Sequence, residues 1–146
     1  MKSSLIRGLF ILSGLYDLAL GLGFLLAWSR IFHHFGITPP NHPGYVQFSA
    51  LLLIIFGIMF FAVAVNPMAN RNLIPYGVLL KFSYTGIVLY YWLSAGVPAM
   101  WKPFAIADVV FAALFLWSYA ALCPRAAREA KLPKETTGTK PAQPAM

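Results

Sequence analysis

The sequence predicts an all-α fold: a four-helix transmembrane bundle whose two ends share the cytoplasmic face (N-in/C-in). Three observations predict it. Only 10% of the 146 residues are charged, against about 25% in soluble domains. The mean hydropathy is +0.71. The apolar residues are gathered into four stretches, each close to the ~20 residues that a helix needs to cross the hydrocarbon core. A soluble fold of this length leaves about 30% of its surface in water, too much for so apolar a chain. The bilayer is the natural solvent.

The first span covers residues 5–28, LIRGLFILSGLYDLALGLGFLLAW, with Asp17 near its middle. Lys2 and Arg7 resemble the start of a secretory signal. The apolar run is nevertheless too long for one, contains an acid and lacks a small-x-small cleavage site, so it reads as a retained helix. The second span covers 46–65 and closes at Asn66-Pro67. The third covers 75–95 and the fourth 103–122, each opening on a proline (Pro75, Pro103), which a first helical turn tolerates. Thr38-Pro39-Pro40-Asn41-His42-Pro43-Gly44 punctuates the first connection, and Gly96 and Pro98 the last. From Cys123 the chain turns polar and Pro/Thr/Ala-rich. Its first part, through Lys131, can extend the fourth helix briefly, and the rest of 123–146 reads as a disordered cytoplasmic tail.

Charge placement sets the orientation. Lys2, Arg7, Arg71, Arg125, Arg128, Lys131, Lys134 and Lys140 fall on the side of the termini, and Arg30 and Lys102 on the other. Positive residues concentrate on the cytoplasmic side of membrane proteins. The net charge of +7 is thus membrane-flanking charge and offers no nucleic-acid surface. Aromatics such as Trp28, Tyr45, Tyr90, Tyr91, Trp92 and Trp101 at one level, and Tyr76, Trp117 and Tyr119 at the other, form interfacial belts. A single cysteine, Cys123, excludes an internal disulfide and any multi-cysteine metal centre. It reads as a free thiol at the membrane face, although acylation occurs at such positions.

Three ionisable residues lie inside spans: Asp17, Lys81 and Asp108. Each costs about 2.5–3.5 kcal/mol when central and unpaired, so each is expected to face the bundle interior. At 1.5 Å per residue, Lys81 lies about 9 Å and Asp17 about 18 Å from the inner ends of their helices, and Asp108 about 6–8 Å from the outer end of its own. The long lysine stem makes Lys81–Asp17 the expected pair. Lys81–Asp108 would need a water chain or strong tilt, and Lys81 could instead snorkel to the inner interface. Asp17, with Tyr16 or Tyr84 beside it, is a candidate proton or cation site. The plainer reading is an interhelical tie, because no relay of further acids follows.

Ser13, Asp17 and Gly21 share one face of the first helix, beside Gly14. Small residues there allow close packing, or a cleft floored by Gly14 and Gly21 that admits a flat lipophilic ligand. His33, His34 and His42 sit in the expected outer loop, 29–44, and are candidate contacts for a partner. As metal ligands they lack companions, since neither Cys nor Glu occurs on that side.

Gly8, Phe10, Gly14 and the polar Asp17, within a compact four-span chain, resemble the DoxX-like family of small bacterial membrane proteins. The resemblance covers the span count and part of the first helix. It implies a bacterial plasma membrane. Because some DoxX-type proteins are subunits of quinone-linked sulfur oxidoreductases, it also implies a quinone as cofactor, contacted through residues such as Tyr84, Tyr91 and Trp92. That family carries Gly-Phe-Gly followed by a basic residue. Here Gly8 and Phe10 are spaced differently and Asp17 is acidic, so no catalytic residue is carried over.

No catalytic set is present. The leading reading is a non-enzymatic accessory or assembly subunit of a larger membrane complex. A redox-associated subunit touching quinone is the second, and a small proton-coupled transporter using Asp17, working as a homo-oligomer, the third. A reporter active only in the cytoplasm is expected to work when fused at either residue 1 or residue 146, and one silent fusion of the two would contradict the assigned topology.

Overall fold

The computed structural model describes residues 2–129. It is built from α1 (Lys2–His34), α2 (Gly44–Val65), α3 (Ile74–Ser94) and α4 (Trp101–Glu129), with a short 3-10 turn, Arg71–Leu73, leading into α3. All four helices are long and apolar enough to cross a membrane, and in each only 28% of the most apolar window is buried inside the protein. The outward faces carry Leu26, Val65, Leu79, Ile87 and Leu93. Such a surface is stable only in lipid, and the chain is an integral membrane protein.

Two helix boundaries differ from the sequence expectation, the end of α1 and the start of α4. α1 does not end with its apolar run at Trp28. It bends at Ala27, whose φ/ψ of −128°/15° are not helical, and continues to His34. Its true terminator is Gly36, at φ 62°. There Ile37 N donates to Phe32 O at 2.9 Å and Gly36 N to His33 O at 3.1 Å, the paired closure that a left-handed glycine permits. His33 and His34 therefore belong to the last turn of α1, and the expected loop 29–44 shrinks to 35–43. α4 begins at Trp101, two residues ahead of its proline, and continues past 122 to Glu129, within the stretch through Lys131 that can extend it. The residues beyond 129, which hold most of the expected polar tail, lie outside the described part.

The bundle is two hairpins. α1 packs closely along α2, and α3 along α4, while the hairpins touch each other more sparsely. Glycine explains the first pairing. A Cβ on Gly14 would stand 3.1 Å from Gly57 O, one on Gly57 3.0 Å from Gly14 O, and one on Gly21 2.8 Å from Ala50 O. Backbone meets backbone at two points seven residues apart on each helix, the close approach that small residues allow in membranes. Gly14 and Gly21 are thus filled contacts with α2 and do not floor a ligand cleft.

The core forms two layers. At the end of the bundle holding the termini, Ile6, Phe10, Phe60, Val63, Ile74, Val78, Phe115 and Leu122 pack together. Phe10, Phe60 and Phe115 are wholly buried, with ring centroids 4.7 to 6.0 Å apart. At the loop end, Phe24, Phe32, Ala50 and Met100 form a smaller cluster with Trp28, Ile37 and Trp101 around it.

Gly21→Ala is expected to destabilise the protein by about 1–3 kcal/mol through overpacking. Gly23→Ala, where nothing lies within 4 Å of the added atom, is expected to be neutral or slightly stabilising. Thermal unfolding in detergent, run on both variants side by side, checks the contrast.

Candidate functional site: a buried ion triad beneath a cleft

Three elements supply the charged centre between the two core layers. α1 brings Asp17, α3 brings Lys81 and α4 brings Asp108, which are 0%, 1% and 6% exposed. Lys81 Nζ donates to Asp17 Oδ1 at 2.6 Å. The same nitrogen stands 3.1 Å from Asp108 Oδ1, within ion-pair range but without hydrogen-bond alignment.

The expected Lys81–Asp17 pair is present. The expectation that Lys81 could not reach Asp108 is corrected. α4 starts two residues earlier than its proline suggested, which lowers Asp108 about 3 Å further into the bundle, and the lysine's four-carbon stem spans the remaining separation. Lys81 does not snorkel, since it is buried.

Aromatic rings complete the surroundings of the ammonium. Nζ lies 5.1 Å from the Tyr16 centroid, 5.6 Å from Phe111 and 5.9 Å from Phe60. Each ring presents a face to which a cation is attracted. Tyr84 is adjacent but serves the hairpin: its hydroxyl donates to Trp101 O at 3.2 Å, and Thr85 Oγ1 donates to Ala105 O at 3.4 Å one residue along. Both bonds tie α3 to α4.

Two carboxylates face one ammonium, and the hydrogen bonding is incomplete. Asp17 Oδ2, Asp108 Oδ1 and Ser13 Oγ are buried without a hydrogen-bond partner. Such atoms carry a full desolvation cost.

Above the triad, toward the loop end, lies a cleft of about 640 Å³. Asp17, Lys81 and Asp108 form its floor with Tyr16 and Tyr84, and Leu20, Phe24, Leu53, Leu80 and Val88 line its walls. Tyr45, Tyr91, Val97 and Pro98 line its loop-end part. Its lining includes exposed residues of α2 (Ser49, Leu52) and α3 (Ile87, Tyr91), so it opens between those two helices. In the other direction the Phe10–Phe60–Phe115 cluster fills the bundle, so the cleft ends at the triad.

The histidines stand apart from this site. His34 meets Phe35 edge-on, and His42 Nδ1 accepts from Gly44 N at 3.0 Å. Among the described residues no group of three His, Cys, Asp or Glu is gathered as metal ligands. Trp92, named above as a quinone contact, instead receives Lys102 Nζ at 4.4 Å from its ring and braces the α3–α4 turn. The cleft walls escaped the sequence reading altogether, because a leucine facing a cavity is indistinguishable in sequence from one facing lipid.

Fold and site together define a class: a small four-helix membrane protein with a dead-ended cleft resting on a buried ionic floor. No family model, curated protein or solved structure matches the chain.

Lys81→Met leaves two carboxylates without their cation and is expected to cost about 3–5 kcal/mol. Adding Asp17→Asn to it removes one orphaned charge and is expected to recover at least about 1 kcal/mol. Reversible unfolding in a bilayer mimetic measures both, and a double variant no more stable than Lys81→Met alone would refute the coupling.

Proposed function

We propose that the protein is a non-enzymatic membrane subunit that holds a lipophilic small molecule drawn from the bilayer. The observation that carries this is the cleft itself. It has the volume of an ordinary small-molecule site, for which about 300–1,000 Å³ is usual. Its walls are apolar, and a few polar groups converge at one end. The opening between α2 and α3 faces the region where lipid would lie, so a membrane-dissolved ligand reaches it without crossing water.

The other readings fare differently. A transporter using Asp17 needs access to the triad from both ends, and the phenylalanine cluster fills one of them. Asp17 is better accounted for as the tie to Lys81. A quinone, the ligand implied by the DoxX-like resemblance, would find apolar walls in the cleft, but its carbonyl oxygens only accept hydrogen bonds and the Lys81 ammonium is already held by Asp17 and Asp108. A role as accessory subunit of a larger complex, in a bacterial plasma membrane with both termini cytoplasmic, is compatible with this binding role.

The test is to block the cleft without touching its floor. Ser49 lines it, is exposed, and bonds only to the Tyr45 carbonyl of its own helix. Ser49→Trp is expected to leave thermal stability within about 0.5 kcal/mol of the parent, as for most surface changes. Lipophilic molecules that co-purify with the parent, detected by organic extraction and mass spectrometry, are expected to be lost. Equal recovery of the same molecules from parent and variant would end the proposal.

A further inference from the structure

The chemistry of the floor specifies which ligands the cleft favours. Walls of leucine, valine and phenylalanine accept any apolar body. The discriminating atoms are at the bottom, and they are unbalanced in two respects. Asp17 and Asp108 are two carboxylates against the single ammonium of Lys81. Asp17 Oδ2 is left without a hydrogen-bond partner, and Asp108 Oδ1 has only its unaligned ion pair with Lys81 at 3.1 Å; both are acceptors. Both residues are more than nine-tenths buried and line the cleft.

A buried excess of negative charge is expensive in a low-dielectric setting. An unpartnered carboxylate oxygen adds the cost of its lost hydration. A donor or a positive charge arriving through the cleft relieves both costs at once. An anionic head, such as a lipid phosphate, meets two carboxylates and is repelled. A ligand that only accepts hydrogen bonds gains little, because Lys81 is already shared between its two acids. The Tyr16 ring, which lines the cleft and lies 5.1 Å from Lys81 Nζ, is a further group that attracts cations.

Resting on the reading of the cleft as a ligand site, we propose that it selects lipophilic monocations. These are amines or onium compounds whose charge settles against Asp17 and Asp108 and whose apolar body fills the space between the hairpins. Ligand entry neutralises the floor without displacing Lys81, so the tie between the hairpins is kept.

The experiment compares two probes of similar shape on the full chain in lipid nanodiscs: tetraphenylphosphonium, a lipophilic cation, and triphenylphosphine oxide, a neutral acceptor. Binding is followed by equilibrium dialysis, with Ser49→Trp nanodiscs subtracted for partition into lipid. The cation is expected to bind at least about tenfold more tightly, a modest share of the Coulomb attraction between unit charges about 6 Å apart inside a protein. Asp108→Asn, which leaves the 2.6 Å Lys81–Asp17 bond in place, is expected to weaken binding of the cation and so abolish that preference. Equal affinities in the parent chain, or a cation preference that survives Asp108→Asn, would overturn the charge assignment and leave the cleft reading standing. Failure of both probes to bind above the blocked variant would overturn the two together.

Discussion

A lysine ammonium between two layers of apolar core is the feature to which the remainder of this structure is subordinate. Inside a bilayer Lys81 has no water to retreat to. Its charge must be met by groups on other helices, and it is met from both sides: Asp17 on α1 at 2.6 Å and Asp108 on α4 at 3.1 Å. The Asp17 contact joins the α1–α2 hairpin to the α3–α4 hairpin near the middle of the molecule, and the Asp108 contact ties α3 to α4 beside it. Lipid is as apolar as the helices, so burial of leucine and valine alone gives the hairpins little reason to associate. The ion triad supplies a specific reason, and it also fixes their relative height.

The glycine pairs set the complementary constraint. Gly14 against Gly57 and Gly21 against Ala50 press α1 onto α2 until backbones touch. Tyr84 and Thr85 bond α3 to backbone carbonyls of α4. Each hairpin is therefore tight within itself, and the slack falls between them. At the termini end three phenylalanines take it up. At the loop end the Phe24, Phe32 and Trp101 rings fill only part of it, and the rest of the space remains as the cleft. Site and fold share one cause: two internally tight hairpins joined by a central charge cluster and an aromatic plug on one side of it.

Much of this was legible in the sequence, and the reasons for the remainder are physical. Four spans could be read because bilayer thickness imposes a length on apolar helices. The Lys81–Asp17 pair could be read because depth along a helix is simple arithmetic. The depth of Asp108 is hidden by Pro103, which suggests a helix start there, whereas a first turn accommodates proline at its third position and the helix begins at Trp101. The apolar run suggests an end for α1 at Trp28, but the terminator is Gly36, whose left-handed conformation closes the helix. Gly14 and Gly21 were recognised as small, but composition does not say whether the space beside a glycine is empty or filled by a neighbouring backbone. The cleft walls had no signature, since Leu53, Leu80 and Val88 would read identically facing lipid.

The central claim is that Lys81 remains charged inside the membrane because two carboxylates hold it. Solid-state NMR of the protein in bilayers, with lysine side chains labelled with nitrogen-15 and aspartates with carbon-13 at the carboxyl, tests it directly. One lysine nitrogen, absent from the spectrum of Lys81→Met, should have the shift of an ammonium, exchange slowly with water, and be dipolar-coupled to the carboxyl carbons of both Asp17 and Asp108. A Lys81 nitrogen that is neutral, or that exchanges freely with water and couples to neither carboxyl, would contradict the account.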